Sequence, residues 1–198
     1  DDVRSEASAV VSELHELGIR PVAMLTGDHE RAARRVAALV GVDETHAELL
    51  PEDKVRTVEG LIGSHGPTAM VGDGVNDAPA LAVASTGIAM GAMGSDVAIE
   101  TADVALMSDD VSRIPWLVRH ARRTMRIVRQ NVIAALGTKA LVLGLSAVGM
   151  ASLWMAIAAD MGASLLVIAN ALRLLRTGEE QGNSTASRRE MRTASTGT

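Results

Sequence analysis

The densest group of chemically useful side chains lies at Gly72-Asp73-Gly74-Val75-Asn76-Asp77, where two carboxylates and an amide follow an apolar run. Oxygen donors this close together, in a loop whose glycines let the backbone tighten, suit a hard cation such as Mg²⁺. That ion takes few protein oxygens and completes its shell with water and phosphate. Asp, Asn and Gly also gather in turns for conformational reasons alone. Two further polar groups stand out. Thr26-Gly27-Asp28 ends another apolar run and offers a hydroxyl and backbone amides, and Lys54, in Pro51-Glu52-Asp53-Lys54, offers a cation. Taken singly, a Thr-Gly-Asp group is more often just a turn and a lysine after Pro-Glu-Asp more often a helix-surface charge; only their ordered spacing raises them.

Lys139 and Asp160 form a second constellation, inside a long apolar stretch with very few other charges. A charge within a membrane span is costly and marks function by default. At about 1.5 Å per residue inward from the basic flanks, both fall at similar depth near the bilayer centre. An ion pair between them is feasible, with a salt bridge that merely holds two helices together as the alternative. His15, His29, His46, His65 and His120 are scattered without metal-like pairing and read as surface residues. Met150, Met155 and Met161 read as packing or lipid-facing side chains.

The elements that must hold these groups alternate. Val3, Ala7, Val10, Val11, Leu14 and Leu17 repeat at helical spacing before Gly18. A strand over Ile19 to Leu25 then leads through Thr26-Gly27-Asp28 into a helix from His29 to Val40. A strand near Thr45 to Leu49, a turn at Pro51 and a helix from Glu52 to about Ile62 form a second unit. Thr68 to Val71 begins a third, which runs through the Gly72 loop into another helix, and Gly87–Met90 and Val104–Met107 read as two more strands with a short helix between them. Strands alternating with helices predict an α/β fold with a parallel sheet, whose ligands sit at the carboxyl ends of the strands. The polar groups named above fall at those ends.

From Val111 to Arg129 the sequence is helix-compatible and carries Arg113, Arg119, Arg122, Arg123, Arg126 and Arg129 with no acid among them. An apolar stretch follows directly, so a juxtamembrane cationic helix is the better reading than a solvated face. Asn131 to Met150 and Ala151 to about Leu172 are each roughly 20 residues, the length a helix needs to cross a hydrocarbon core. Gly149-Met150-Ala151-Ser152 can turn the chain between them, and the arginines before and Arg173 and Arg176 after place both ends in the cytoplasm. The predicted organisation is 1–110 soluble α/β domain, 111–130 arginine-rich helix, 131–175 two-helix transmembrane hairpin and 176–198 disordered tail. The alternative for 131–175 is a pair of helices buried in a soluble protein.

Composition narrows the classes. The 198 residues contain no cysteine, which leaves neither a disulfide framework nor a thiolate metal site. Trp116 and Trp154 are the only aromatic residues and the net charge is −5, so base stacking and phosphate-backbone binding have little to work with and no nucleic-acid partner is expected. Asp1 to Ala9 lacks the basic and apolar regions of a signal peptide.

The decapeptide from Gly72 to Leu81, Gly-Asp-Gly-Val-Asn-Asp-Ala-Pro-Ala-Leu, resembles the signature of the P-type ATPases, within the haloacid dehalogenase superfamily. The resemblance runs from about residue 1 to Arg176. It implies a partial haloacid-dehalogenase-like, Rossmann-like domain followed by the membrane hairpin. It also implies roles: Thr26-Gly27-Asp28 as phosphate-binding turn, Lys54 as the lysine that neutralises the phosphoryl group, Asp73 as Mg²⁺ ligand, and Asn76 and Asp77 as residues that order the site. Asn131, Lys139 and Asp160-x-Gly162 resemble the intramembrane pattern of the zinc-, cadmium- and lead-exporting branch, with Asp160 as ligand of the transported metal and Lys139 as its counter-charge. A carboxylate suits such divalent ions better than cuprous copper. Met161 and Ser164 match only faintly the copper branch's Met-x-x-Ser. The Tyr-Asn pair of that branch is missing, because the chain has no tyrosine, and so is the cobalt branch's His-Glu-Gly.

The superfamily's nucleophile is an aspartate in Asp-Lys-Thr-Gly-Thr or an Asp-x-Asp pair, and neither occurs between Asp1 and Thr198. In the family it lies upstream, with the nucleotide-binding domain and the earlier spans. The resemblance therefore implies a C-terminal segment of an ATP-driven exporter of Zn²⁺, Cd²⁺ or Pb²⁺, embedded in the cell membrane with its soluble domain cytoplasmic. Its partners would be the lipid bilayer, the divalent ion and the missing N-terminal part, through which ATP is reached. The alternatives are an inactive membrane fragment that must assemble with that part and, against the missing nucleophile, a free-standing phosphatase.

Overall fold

A computed structural model describes residues 6–73, 76–91, 100–150 and 152–172. They divide into two units, Asp1–Arg119 and His120–Thr198.

The first unit alternates strands and helices in the predicted order: α1 (Ala7–Glu16), β1 (Ala23–Leu25), α2 (Glu30–Val40), β2 (Glu44–His46), α3 (Pro51–His65), β3 (Ala69–Gly72), α4 (Ala78–Val83), β4 (Thr86–Met90) and β5 (Val104–Leu106). Three boundaries differ from the sequence expectation for local reasons. β1 starts only at Ala23, because the Val22 amide donates to Asp43 Oδ2 (2.8 Å) and its carbonyl accepts from the Asp43 and Glu44 amides. β2 is shorter and starts earlier than Thr45–Leu49, because Glu48 takes a left-handed φ of 56°. There the Glu48 and Leu49 amides turn back to the carbonyls of Asp28 and Thr26. Pro51 opens α3 rather than only turning into it, since its missing N–H is one a helix leaves unsatisfied there anyway. The short helix expected between β4 and β5 falls largely on 92–99, outside the described residues.

All strand pairs are parallel, but they form two sheets rather than one. β1 pairs with β2 (Ala23 opposite Glu44), and β3, β4 and β5 form the second sheet in that order. β1 and β3 are thus both edges. The core lies under the second sheet, where Val58 of α3, Met70 of β3, Ala80 and Leu81 of α4 and Ala89 of β4 are buried together. The fit is close: a Cβ on Gly87 would lie 2.7 Å from the Leu81 carbonyl oxygen, so only glycine lets β4 approach α4 this far.

A single helix, α5 (Arg113–Ala147), joins the arginine-rich stretch to the first apolar stretch, and α6 (Leu153–Leu172) carries the second. α5 ends where Gly149 adopts φ +73°, with the Gly149 and Met150 amides bonded to the carbonyls of Ser146 and Leu145. Both helices are long and apolar enough to cross a membrane. In the second unit large apolar side chains lie open all round them, among them Leu136, Leu143, Trp154, Leu165 and Leu166, which is the wrong way out for water. The predicted tail at 176–198 falls outside the described residues, as do Arg173 and Arg176.

Candidate functional site

Thr26-Gly27-Asp28 stands at the carboxyl end of β1 and the Asp73 loop at that of β3, while Lys54 lies in the first turn of α3. Beyond Leu25, the Thr26 hydroxyl donates to Asp28 Oδ2 (3.0 Å) and accepts from the Asp28 amide (3.1 Å). The strand ladder and the returning loop anchor this turn, through Thr26 N to the His46 carbonyl (3.0 Å) and Leu49 N to the Thr26 carbonyl (3.1 Å). Gly27 is exposed, and a Cβ there would sit 3.3 Å from the Leu49 carbonyl oxygen. The result is a small turn with one face open.

Beyond β3, the exposed Asp73 receives the Asn76 amide on Oδ1 (3.1 Å), which closes the loop on itself. Asp77 stands just before α4 and is bound by Lys54 Nζ at 2.6 Å; both side chains are mostly buried, at 17% and 16% exposure. That contact links α3 to α4 across 23 residues of sequence and fixes a cation beside the loop. Gly72 is what allows it: a Cβ there would lie 2.7 Å from both Cβ and Oδ2 of Asp77. The structure therefore brings Lys54 to Asp77 and Asn76 to Asp73, and Thr26 to Asp28, as separate groups. Gly74 and Val75 fall outside the described residues.

A cavity of about 420 Å³ within the first unit is lined by both edge strands, through Ala23 and Leu25 of β1 and Ala69, Met70 and Val71 of β3, and Asp77 reaches its wall. Its lining is otherwise mainly apolar, with Val10, Val11 and Leu14 of α1 and Val58 and Leu61 of α3.

Electrostatics elsewhere in this unit hold the loops that frame the site. The Val22 amide and then His15 (2.8 Å) keep the Asp43 carboxyl below the usual aspartate range, with Arg20 at 3.1 Å assisting. His15 is accordingly a half-buried structural partner rather than the plain surface histidine expected. His29 lowers Glu48 in the same way, and the Arg56 guanidinium, followed by the Leu50 amide, lowers Asp53 at the start of α3.

In the second unit a groove of about 560 Å³ runs between α5 and α6, lined by Ala135, Thr138, Lys139, Val142 and Ser146 on one side and Ala156, Ala159, Asp160, Ala163, Ser164 and Ile168 on the other. Lys139 and Asp160 share this groove but form no ion pair, which differs from the pairing that sequence made feasible. Along the two helices they lie about 12 Å from Ala147 and about 11 Å from Leu153. The Ser164 and Thr138 hydroxyls are satisfied by the carbonyls one turn back, Asp160 and Ala134. Asn131 Oδ1 accepts a bond from Asn170 Nδ2 at 2.8 Å, tying α5 to α6. Asn170 escaped the sequence reasoning. An amide in an apolar helix costs several kcal/mol unpaired, on the order of 2–7, and that cost was the available sign that it needs a partner.

The haloacid dehalogenase-like hydrolase family profile matches residues 1–85. The chain is 48% identical, over 91% of its length, to a probable cadmium-transporting ATPase of Staphylococcus aureus strain MRSA252. It is 50% identical, over 89% of its length, to a zinc/cadmium/lead-transporting P-type ATPase of Escherichia coli K12. It spans only about a quarter of these relatives, 25% and 24% respectively. Among solved structures, a zinc-transporting PIB-type ATPase in its E2.Pi state superposes with a TM-score of 0.81 at 50% identity, covering 88% of this chain and 28% of that one. The homologues are thus cadmium- and zinc-transporting P-type ATPases, and the mixed α/β unit with two long apolar helices matches a portion of such a pump.

Proposed function

We propose that this chain is the C-terminal segment of an ATP-driven exporter of divalent heavy metals, supplying the Mg-phosphate end of the catalytic site and an intramembrane metal site. The observation that carries the reading is the mostly buried Lys54–Asp77 pair at 2.6 Å, set beside the Asp73 loop by a glycine whose replacement would force Asp77 to shift. Relatives named for cadmium, zinc and lead transport support the choice of cargo.

In this reading the Thr26 hydroxyl and the amides of the Gly27-Asp28 turn hold phosphoryl oxygens, while Lys54 neutralises them from a position fixed by Asp77. Mg²⁺ fits the residues present: Asp73 offers an exposed carboxylate, and this ion needs only one or two carboxylates when phosphate and water complete its shell. When bound it would withdraw negative charge from the phosphoryl oxygens. Asn76 holds Asp73 in place through its backbone amide. In the hairpin, Asp160 ligates the transported ion and Lys139, close by but unpaired, supplies the positive charge that favours its release. Both apolar helices cross the cell membrane, with the soluble unit and both hairpin ends cytoplasmic.

The remaining part of the pump has a place to enter. Two edge strands, β1 and β3, border one apolar cavity, and neighbouring strands lie about 4.8 Å apart, so one inserted strand could join both sheets. A strand of the missing part ending in the nucleophilic carboxylate would deliver it to the ends of β1 and β3. The test is phosphorylation by ATP and Mg²⁺. The chain alone is expected to form no acid-stable phosphoenzyme, and the chain co-expressed with the upstream part of a close relative is expected to form one on that part. Radiolabel trapped on the isolated chain would overturn the reading, and no label in the co-expressed pair would favour an inactive membrane fragment.

A further inference from the structure

The proposed phosphoryl and metal sites use none of the arginines between Arg122 and Arg129. Along α5, Arg122, Arg126 and Arg129 follow at spacings of four and three, which sets them one above another, and Arg123 stands beside them. All four are exposed. Arg123, Arg126 and Arg129 have no acidic partner among the described residues, and the sequence has no acid at all between Asp110 and Asp160. A column of like charges held on one rigid helix repels itself and favours a counter-charge from outside the chain.

Its place on the helix says where that counter-charge comes from. The same unbroken helix carries Lys139, read above as lying near the bilayer centre, about 15 Å beyond Arg129. Half a hydrocarbon core is also about 15 Å, which sets Arg129 at the hydrocarbon boundary. The stretch from Arg122 to Arg129 then rises about 10 Å, enough to cross one headgroup layer of about 5–8 Å. Met125, flanking Arg129, and Val128, farther round the helix, are open apolar side chains of the kind that sit at such a boundary. Guanidinium groups match phosphate oxygens in bidentate geometry, which a headgroup phosphate with net negative charge can accept.

We infer that Arg123, Arg126 and Arg129 form a binding surface for anionic phospholipid headgroups of the cytoplasmic leaflet. This rests on the membrane reading above and adds a lipid requirement to it. Each such arginine near an anionic surface is worth about fivefold in lipid affinity, so the surface as a whole should discriminate strongly between anionic and zwitterionic lipid.

The test uses the full chain in vesicles of phosphatidylcholine with about one third phosphatidylglycerol, extracted gently for native mass spectrometry. Retained phosphatidylglycerol is expected to exceed its share in the vesicle, and R123Q/R126Q/R129Q is expected to cut that enrichment roughly tenfold or more. Alkaline-carbonate extraction, run in parallel, reports insertion. An inserted wild-type chain without enrichment, or a triple variant that keeps it, overturns the inference while leaving the membrane reading intact. A chain that carbonate strips from the vesicles overturns both. Loss of the enrichment in inorganic phosphate at an ionic strength matched by chloride, where chloride has no effect, would show that the column binds free phosphate and would likewise overturn it.

Discussion

The two charged centres of the chain are built on opposite plans. At the end of β3, Lys54 and Asp77 are pressed together at 2.6 Å with most of their surface removed from water. In the groove between α5 and α6, Lys139 and Asp160 face a shared space of about 560 Å³ and leave each other alone. A closed pair is preorganised: its geometry is fixed before a ligand arrives, which suits a group that must stabilise charge developing on phosphate. An open pair keeps a carboxylate available, which suits a site that must take up an ion and let it go. On the proposed reading, catalysis and transport would differ in how tightly the same kinds of side chain are held.

Asp160→Ala, placed in an intact relative, breaks this contrast most severely. Zinc- or cadmium-stimulated ATPase is expected to vanish while phosphorylation by inorganic phosphate persists; unchanged metal stimulation would leave Asp160 a structural residue. Lys54→Met in the same background tests the closed pair. Phosphoenzyme formation should fall by about 10²–10³-fold, the usual cost of one charge-stabilising donor, with metal binding by the hairpin unaffected. Leu81→Ala separates the two regions by stability. Emptying the fully buried site against Gly87 should destabilise the soluble unit by about 2–5 kcal/mol in denaturant titration, whereas membrane insertion of α5 and α6 should not change.

The smallest effect concerns Asp43. Its carboxyl is held below the usual range in the folded state, so its contribution to stability is complete above the unfolded aspartate pKa of about 4. That contribution is lost as pH falls through the lower, folded value. Asp43→Asn should flatten the acid side of the soluble unit's stability curve and leave the hairpin's unchanged. An unaltered acid limb would show that the Val22, His15 and Arg20 contacts contribute no net stability.

The alternation of β1 to β5 with helices was legible in the sequence because each apolar run ends at a polar turn, and so were the two apolar stretches of the hairpin. The residues that stand at strand ends were legible for the same reason. What escaped was set by partners distant in sequence. The division into two sheets depends on what does and does not pair beside β1 and β3, which no local pattern records. The end of β2 depends on the left-handed Glu48, a conformation unusual for that residue type. The Asp43 cluster and the Asn131–Asn170 bond span 21 to 39 residues and carry no periodic signal.

Gly72 also bears on how the sequence can drift. Every amino acid other than glycine brings a Cβ, and here any Cβ would collide with Asp77 at 2.7 Å and push it off Lys54. No single-codon change at this position is therefore neutral, whatever its chemical character. At Gly60 and Gly63, where nothing lies within 4 Å of an added Cβ, substitutions meet no such barrier. A saturation library of the chain, selected for metal resistance in an intact pump, should come back empty at residue 72 and populated at residues 60 and 63.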